Sequence, residues 1–302
     1  MRTVMEFKEY TDTKIFYNDE NLKPDWVEHP AKFTEFHIKR KKKSILLVIG
    51  ESWTYGESLP KVETGLGRFN FDSQIINGYG PAMAVTMDCD YYQYAVPGNC
   101  NAFMFQELGR ILEYIWSLDY EKIYVSIQMT EPSREKPILQ RLKGHPLHNL
   151  YMDTTEVIDF KEWLKRYDEI FFNIYDREIK KYNDPNKKII PILWKNFCSI
   201  NTTNRNYNFD ILNDSWIKYS ASCLGVKLEM PSFYAVEWLA GFQEDFGHKI
   251  KFDARYVSGM LNIIEKSNNY LHNNPYHFPH PNDEMHLKWA NYLLNKTGWK
   301  HV

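Results

Sequence analysis

The sequence Ser-Ile-Leu-Leu-Val-Ile-Gly-Glu-Ser-Trp-Thr-Tyr-Gly-Glu-Ser-Leu occupies residues 44–59 and carries an apolar run straight into a serine flanked by glycines. Residues 45–49 are all Ile, Leu or Val, which is typical of a strand buried on both faces of a parallel sheet. The turn after such a strand lies at the carboxyl edge of the sheet, where open α/β folds bind their ligands. Ser52 is therefore a candidate catalytic residue on this pattern alone.

Strand and helix patterns alternate along the rest of the chain. Strands separated by helix-length segments imply right-handed βαβ crossovers, which build a parallel sheet with helices on both faces. The pattern predicts an α/β fold, a three-layer α/β/α sandwich with a mostly parallel, flavodoxin-like five-stranded sheet. The predicted strands are residues 44–49, 91–96, 122–129, 188–194 and 226–230, and the predicted helices are residues 71–87, 101–117, 160–182, 211–224, 254–271 and 284–296.

The length of 302 residues, 43% of them hydrophobic, suits one enlarged domain with a large core. Residues 1–43 mix aromatic and charged residues without a sustained period, which indicates an N-terminal extension with short strands, packed on a main domain of residues 44–302. Residues 132–159 contain three prolines and one glycine and show no clear period. We predict a long inserted loop there, which either shapes the substrate site or is disordered.

The charge balance gives no global reason to bind nucleic acid or an anionic membrane, since 37 basic and 39 acidic residues leave a net charge of -2. The basic run at residues 39–43 precedes a buried strand and is typical of a solvent-exposed segment that leads into a strand. The amino terminus lacks the apolar core of a signal peptide, and no apolar run approaches the ~18 residues of a membrane span. These features predict a chain made in the cytoplasm, without a nucleic-acid or membrane partner.

The aromatic and cysteine contents leave the class of ligand open. Aromatic residues form 16% of the chain, which fits either core packing or surfaces that stack on sugars or on another protein. The four cysteines show no Cys-x-x-Cys spacing, so neither a zinc site nor a disulfide framework is indicated. We predict reduced, mostly buried thiols, no metal and no cofactor.

Two segments that follow predicted strands are candidates for the donors that an oxyanion needs. Residues 96–101 read Val-Pro-Gly-Asn-Cys-Asn, in which Gly98 can bring its N–H close to a ligand. Further along, Gln128 and Thr130 lie two residues apart, so they project to one face, where either could donate a hydrogen bond. Arg134 could hold a carboxylate or form a structural pair with Glu131 or Glu135.

A histidine-rich segment near the end of the chain supplies candidates for the base that a serine nucleophile requires. Residues 277–286 read His-Phe-Pro-His-Pro-Asn-Asp-Glu-Met-His and lead into a predicted helix. Three histidines could suggest a metal site, but no acidic group with metal-ligand spacing accompanies them. A histidine base is the better interpretation, because imidazole can accept a serine proton near neutral pH.

Taken together, these segments resemble the SGNH hydrolases, also called the GDSL esterase and lipase family, over residues 44–297. The resemblance places Ser52 on the nucleophile and Gly98 on the glycine whose N–H joins that of Ser52 in the oxyanion hole. His280, in the sequence His-Pro-Asn, falls on the catalytic base. The resemblance implies a hydrolase that acts on acetyl or short-acyl esters, with Ser52 and His280 as catalytic residues.

The chain departs from the family pattern at two positions. Thr130 stands where the family has an asparagine that serves as the third oxyanion donor, and His277 stands where it has the aspartate that orients the base. A second register pairs Asp283 with His286 across an Asp-x-x-His spacing, although Asp283 also lies where a helix N-cap belongs. Both His280 and His286 therefore stay candidates for the base, with His280 preferred.

Two functional interpretations follow from the sequence. The first is a serine esterase whose substrate is a small ester or an acylated carbohydrate. The second is a catalytically weak or inactive binding protein on the same fold, acting as a homo-oligomer or with an assembly partner in a larger structure such as a virion. The replacements at Thr130 and His277 motivate the second interpretation.

Overall fold

A computed structural model describes residues 35–56, 78–130, 132–152, 158–195, 207–212, 214–223, 250–251 and 283–299. Its strands are β1 (Glu35–Ile38), β2 (Ser44–Gly50), β3 (Asp90–Ala95), β4 (Lys122–Met129), β5 (Ile158–Asp159), β6 (Lys188–Lys195), β7 (Asp210–Ile211) and β8 (Ile250–Lys251). Its helices are α1 (Ser52–Tyr55), α2 (Tyr79–Thr86), α3 (Asn101–Ser117), a 3-10 helix (Pro132–Leu142), α4 (Pro146–Met152), α5 (Phe160–Lys180), α6 (Trp216–Cys223) and α7 (Asp283–Thr297).

The main sheet has six strands in the order β1-β3-β2-β4-β6-β7, and β5 pairs separately with β8. Strand β1 is antiparallel to β3, while the other five strands of the main sheet run parallel to one another. Numbered along the chain, those five parallel strands follow the order 2-1-3-4-5, which is the flavodoxin order. The predicted fold class is therefore confirmed by the sheet topology.

The central position of β2 explains its uninterrupted apolar sequence. Its neighbours are β3 on one side and β4 on the other, with Ile49 aligned to Tyr94 and Ile127. All five residues from Ile45 to Ile49 are completely buried. Helices on both faces of a parallel sheet remove every side chain of a central strand from water, as the sequence pattern predicts.

The edges of the sheet differ from the sequence prediction. The predicted strand at residues 226–230 lies outside the described residues, and the short strand β7 takes the fifth parallel position beside β6. On the opposite edge, β1 comes from the segment that we assigned to the N-terminal extension, and it adds a sixth strand. Charged residues obscured it in the sequence, because Glu35 is buried and forms an ion pair of 2.9 Å with Arg110 of α3.

The connection predicted as a long irregular loop is helical over residues 132–152. A turn at residues 143–145 joins the 3-10 helix to α4, and Ile138, Leu147 and Tyr151 are buried. The Tyr151 hydroxyl donates a hydrogen bond of 2.6 Å to the Pro132 carbonyl oxygen, which ties the two helices together. The prolines hid this segment in the sequence, although Pro132 and Pro146 stand at the first positions of their helices, where proline is tolerated.

Aromatic side chains fill much of the described core. Trp216 stacks on Trp289 with ring centroids 5.4 Å apart, and Trp53 meets Trp216 edge-on at 5.3 Å. These tryptophans are 1% exposed or less, so core packing accounts for them. Cys89 and Cys100 are buried free thiols, as predicted. In the part of the chain that the structure describes, each helix is too short or too polar to cross a bilayer.

The order of the strands creates a topological switch point between β2 and β4. The chain leaves β2 toward β3 on one side and later returns to β4 on the other side, so the connections diverge above the carboxyl ends of β2 and β4. In open α/β sheets, ligands bind in the crevice at such a point. Glu51 and Ser52 directly follow β2, and Thr130 directly follows β4, so both candidate segments lie at this crevice.

Candidate active site

Ser52 lies in a tight turn between the end of β2 and helix α1. Glu51 has extended dihedral angles (φ -117°, ψ -150°), α1 is only four residues long, and Gly56 ends it in the left-handed region (φ 76°). The Glu51 side chain caps the helix, accepting hydrogen bonds from the N–H groups of Ser52 (2.6 Å) and Trp53 (3.1 Å). The turn therefore holds the serine directly above the carboxyl end of the central strand.

Gly50 permits this turn to form. A β-carbon at position 50 would lie 2.0 Å from the Thr54 hydroxyl oxygen and 2.6 Å from Gln128 Oε1. Neither neighbour can move easily, since Thr54 and Gln128 are buried and hydrogen-bonded to each other. The glycine before the serine is thus required by close packing between β2, α1 and β4.

We expect Gly50→Ala to destabilise the protein by about 1–3 kcal/mol, the usual cost of overpacking a core. Because the added methyl group pushes Thr54 and Gln128 away from the turn, any activity of Ser52 should fall as well. Gly109→Ala is the matched control, since its β-carbon would meet only the end of the Glu178 side chain, at 3.2 Å. Urea unfolding of both variants measures the difference, and equal stabilities would contradict the packing argument.

Glu51 is a completely buried carboxylate surrounded by hydrogen-bond donors. Besides the two N–H groups, it accepts hydrogen bonds from the Ser52 hydroxyl and, at 2.9 Å, from Gln128 Nε2. The Arg134 guanidinium lies 3.6 Å away. Donors from several elements thus hold the carboxylate in place, and it in turn fixes the position of the serine hydroxyl.

A buried chain of hydrogen bonds extends from Glu51 into the neighbouring elements. The Gln128 amide, on β4, joins Glu51 to the Thr54 hydroxyl of α1. Thr54 also contacts the Tyr79 hydroxyl of α2 at 3.1 Å. The chain connects β2, β4, α1 and α2, so the position of Ser52 depends on all four elements.

Gly98 and Arg134 bring the second and third candidate segments to the same place. Gly98 is exposed and has a left-handed conformation (φ 74°). A β-carbon at this glycine would lie 4.0 Å from Arg134 Nη1. Since Arg134 also forms an ion pair with Glu51, the structure brings Ser52, Gly98 and Arg134 together.

Thr130 is held by its backbone. The Asn101 side chain, at the first position of α3, accepts a hydrogen bond from the Thr130 N–H and donates one to the Thr130 carbonyl oxygen, both 2.9 Å long. Thr130 is 2% exposed. The paired hydrogen bonds fix the chain after β4 against α3 and so determine where the following 3-10 helix, with Arg134, begins.

His286 and Asp283 have different surroundings in α7. His286 is completely buried, stacks on the Tyr79 ring and meets Trp216 edge-on at 4.9 Å. Its Nδ1 accepts a hydrogen bond of 3.2 Å from the Tyr79 N–H, so the proton of the neutral ring is on Nε2. Asp283 is exposed, and its carboxylate accepts a hydrogen bond of 3.0 Å from the Glu284 N–H at the start of the helix. His277 and His280 lie outside the described residues.

Glu135, which the sequence suggests only as a partner for Arg134, is a buried group beside the site. Its carboxylate accepts hydrogen bonds from the Ala102 N–H (3.2 Å) and the Tyr167 hydroxyl (2.9 Å). Burial raises the pKa of Glu135 to about 7. Nothing local in the sequence indicates this, because the contacts come from α3 and α5, which are distant along the chain.

We expect the raised pKa of Glu135 to make stability depend on pH. Below the ordinary value of 4.5 the folded and unfolded states are both protonated, so there is no penalty. As the pH rises to about 7, only the unfolded state ionises readily, and the wild type should lose about 3 kcal/mol relative to Glu135→Gln. Urea unfolding of both proteins between pH 4.5 and 7 tests this; parallel stability curves would contradict it.

Comparison with known proteins shows similarity at the level of structure only. No family model and no curated protein matches the sequence. The chain is similar in structure to a protein named as lipolytic and of the G-D-S-L family, from Desulfitobacterium hafniense, with 11% identity, a TM-score of 0.34 and coverage of 83% of this chain and 98% of that one.

Two further solved structures are similar to a comparable degree. One is LAE5, an alpha/beta hydrolase enzyme from the metagenome of Lake Arreo, with 17% identity, a TM-score of 0.35 and coverage of 86% of this chain and 97% of that one. The other is Axe2, an acetylxylan esterase from Geobacillus stearothermophilus, with 16% identity, a TM-score of 0.32 and coverage of 85% and 96%. The fold class itself follows from the strand order described above.

Proposed function

We propose that the protein is a serine esterase of SGNH type that hydrolyses acetyl or short-acyl esters, with Ser52 as the nucleophile and His280 as the base. One observation carries this proposal. Ser52 lies in a tight turn at the carboxyl end of the central strand, at the switch point of the sheet, with its hydroxyl hydrogen-bonded to a buried carboxylate. This is where an open α/β fold binds a ligand, and the turn holds the hydroxyl in one orientation.

In the proposed reaction, Ser52 Oγ attacks the carbonyl carbon of the ester while His280 takes the hydroxyl proton. The N–H groups of Ser52 and Gly98, together with Thr130, hold the negative oxygen of the tetrahedral intermediate. His280 then returns the proton to the leaving alcohol, and water releases the acyl group from Ser52 by the same two steps. In the structure the Ser52 N–H donates to Glu51, so an oxyanion would have to share this donor.

The contacts of His286 favour His280 as the base. A base needs a lone pair on the nitrogen that faces the serine. In His286, the lone pair of Nδ1 accepts the Tyr79 N–H and Nε2 carries the proton, so neither nitrogen is suited to take a proton from Ser52. The exposed carboxylate of Asp283 is used at the start of α7, which supports a capping role for that residue.

The proposed acyl carrier rests on the aromatic content of the sequence. The family resemblance implies acetyl or short-acyl esters, and the aromatic residues suggest a carbohydrate that carries them. The large aromatic residues around Ser52 do not strengthen this suggestion, because Trp53, Trp194 and Trp216 are buried in the core.

Covalent labelling tests the reaction directly. A fluorophosphonate should add one phosphonyl group to the wild-type protein, and peptide mass mapping should locate it on Ser52. Hydrolysis rates of p-nitrophenyl acetate, butyrate and octanoate should decrease with acyl length. A protein that is neither labelled nor active would support the alternative of a non-catalytic binding protein, for which the enclosure of Ser52, 2% exposed, is the favouring observation.

A further inference from the structure

Arg134 lies beside the nucleophile. It is the third residue of the 3-10 helix, and its Nη2 is 3.6 Å from Glu51 Oε2. The same carboxylate oxygen accepts the hydrogen bond from the Ser52 hydroxyl. One oxygen of Glu51 is thus shared by the serine and the arginine, which places a guanidinium next to the reacting hydroxyl.

The other end of the guanidinium reaches Gly98. Arg134 Nη1 lies 4.0 Å from the place that a β-carbon at position 98 would occupy. Gly98 is exposed, so this space is open toward the surface in the described part of the chain. Arg134 Nη1 and the Gly98 backbone therefore border the same exposed space.

We propose that Arg134 is a catalytic residue that donates hydrogen bonds to the oxyanion, together with the N–H of Gly98. This inference rests on the proposed function. As Ser52 Oγ bonds to the carbonyl carbon, the electron pair of the C=O π bond moves to the oxygen, and the guanidinium stabilises the negative charge there. Arg134 stays protonated throughout, since a guanidinium does not lose its proton in proteins, and His280 handles the only proton that moves.

A guanidinium suits this role better than the Thr130 hydroxyl. The hydroxyl offers one donor without charge, whereas the guanidinium offers five N–H donors in a fixed plane and a full positive charge. Hydrogen bonds from a charged donor are roughly twice as strong as neutral ones. Glu51 holds Nη2, so Nη1 is kept in the orientation that points toward Gly98.

Hydrolysis of p-nitrophenyl acetate by Arg134→Ala and Arg134→Lys tests the proposal. We expect Arg134→Ala to lower kcat by about 10²–10³-fold, the effect of removing one oxyanion donor, with KM changed by less than about threefold. Arg134→Lys should retain part of the rate, because lysine keeps the positive charge but lacks the planar guanidinium group with its paired N–H donors. Added guanidinium ion should partly restore the rate of the alanine variant.

Two control variants separate this role from a structural one. Arg110→Ala removes another half-buried arginine with an ion pair, to Glu35, and should lower the melting temperature without changing kcat. Thr130→Val removes the competing hydroxyl and should lower kcat by less than Arg134→Ala does. Thermal melting of every variant shows whether a lost rate reflects unfolding.

Three results would overturn the proposal. If wild type is more active than Ser52→Ala and Arg134→Ala keeps the full kcat, the role of Arg134 fails and the esterase function stands. If Arg134→Ala raises only the KM of the negatively charged p-nitrophenyl succinate monoester, the arginine binds a substrate carboxylate instead. If wild type is no more active than Ser52→Ala, the esterase function fails, and the proposal fails with it.

Discussion

Ser52→Ala is expected to reduce ester hydrolysis to the background rate and to abolish fluorophosphonate labelling. Losing the nucleophile of a serine hydrolase typically lowers kcat by ~10⁴–10⁶-fold, because the base and the oxyanion donors have nothing left to activate. The rate of p-nitrophenyl acetate hydrolysis and the mass of the labelled protein are the two measurements.

The fold should tolerate this substitution. Ser52→Ala removes one buried hydroxyl and its hydrogen bond to Glu51, while the cap formed by the backbone N–H groups remains. We expect a change in the free energy of unfolding of about 1 kcal/mol. If the variant is inactive but its melting temperature is close to that of the wild type, the loss of activity is due to the missing nucleophile and not to unfolding.

Ser126→Ala provides a matched control on the neighbouring strand. Ser126 is also buried, and its hydroxyl accepts a hydrogen bond of 3.0 Å from Trp194 Nε1. Its removal leaves a buried indole N–H without this acceptor, so it should destabilise the protein more than Ser52→Ala does while activity is kept. An active Ser52→Ala variant would contradict the proposed nucleophile.

His280→Ala is expected to lower kcat by ~10⁴-fold and to leave the unfolding free energy nearly unchanged, since the proposed role of His280 is proton transfer. Steady-state kinetics with p-nitrophenyl acetate, and urea unfolding of the same preparation, measure the two effects separately.

His286→Ala should show the opposite pattern. It removes a fully buried ring from between Tyr79 and Trp216 and leaves the Tyr79 N–H without its acceptor. A cavity and an unsatisfied donor together lower the free energy of unfolding by about 2–5 kcal/mol. The variant should therefore have a lower melting temperature than the wild type but keep its activity at low temperature. A stable His286→Ala protein without activity, beside an active His280→Ala protein, would reverse the two assignments.

Sequence patterns predicted the centre of the fold well and its periphery poorly. Helix α3 spans the predicted residues 101–117, and β2 and β4 differ from prediction by at most one residue, because central strands and the helices that cover them are apolar in a regular period. Short strands were predicted in residues 1–43, but the position of β1 was not, since it lies at an edge and contains charged and polar residues that are satisfied by distant partners. The 3-10 helix was missed because its prolines are also typical of loops.

The candidate site divides in the same way. The local sequence Gly-Glu-Ser identified Ser52, and the Gly98 turn was predictable because glycine is the residue for a left-handed conformation. The contact of Arg134 with Glu51 and the burial of Glu135 could not be predicted, since each joins residues from different elements across long separations along the chain.

Residues that are neighbours in the chain are enough to show that a buried strand ends in a glycine-flanked serine and that parallel strands alternate with helices. The side chains that surround this serine come from distant parts of the chain and are set by the packing of the folded protein. Glu51 receives the serine hydroxyl, Gln128 and Arg134 approach it from the next strand and the 3-10 helix, and His286 is enclosed by aromatic rings. Hydrogen bonds and burial depend on which residues are close in space. The order of the strands in the sheet determines which residues those are.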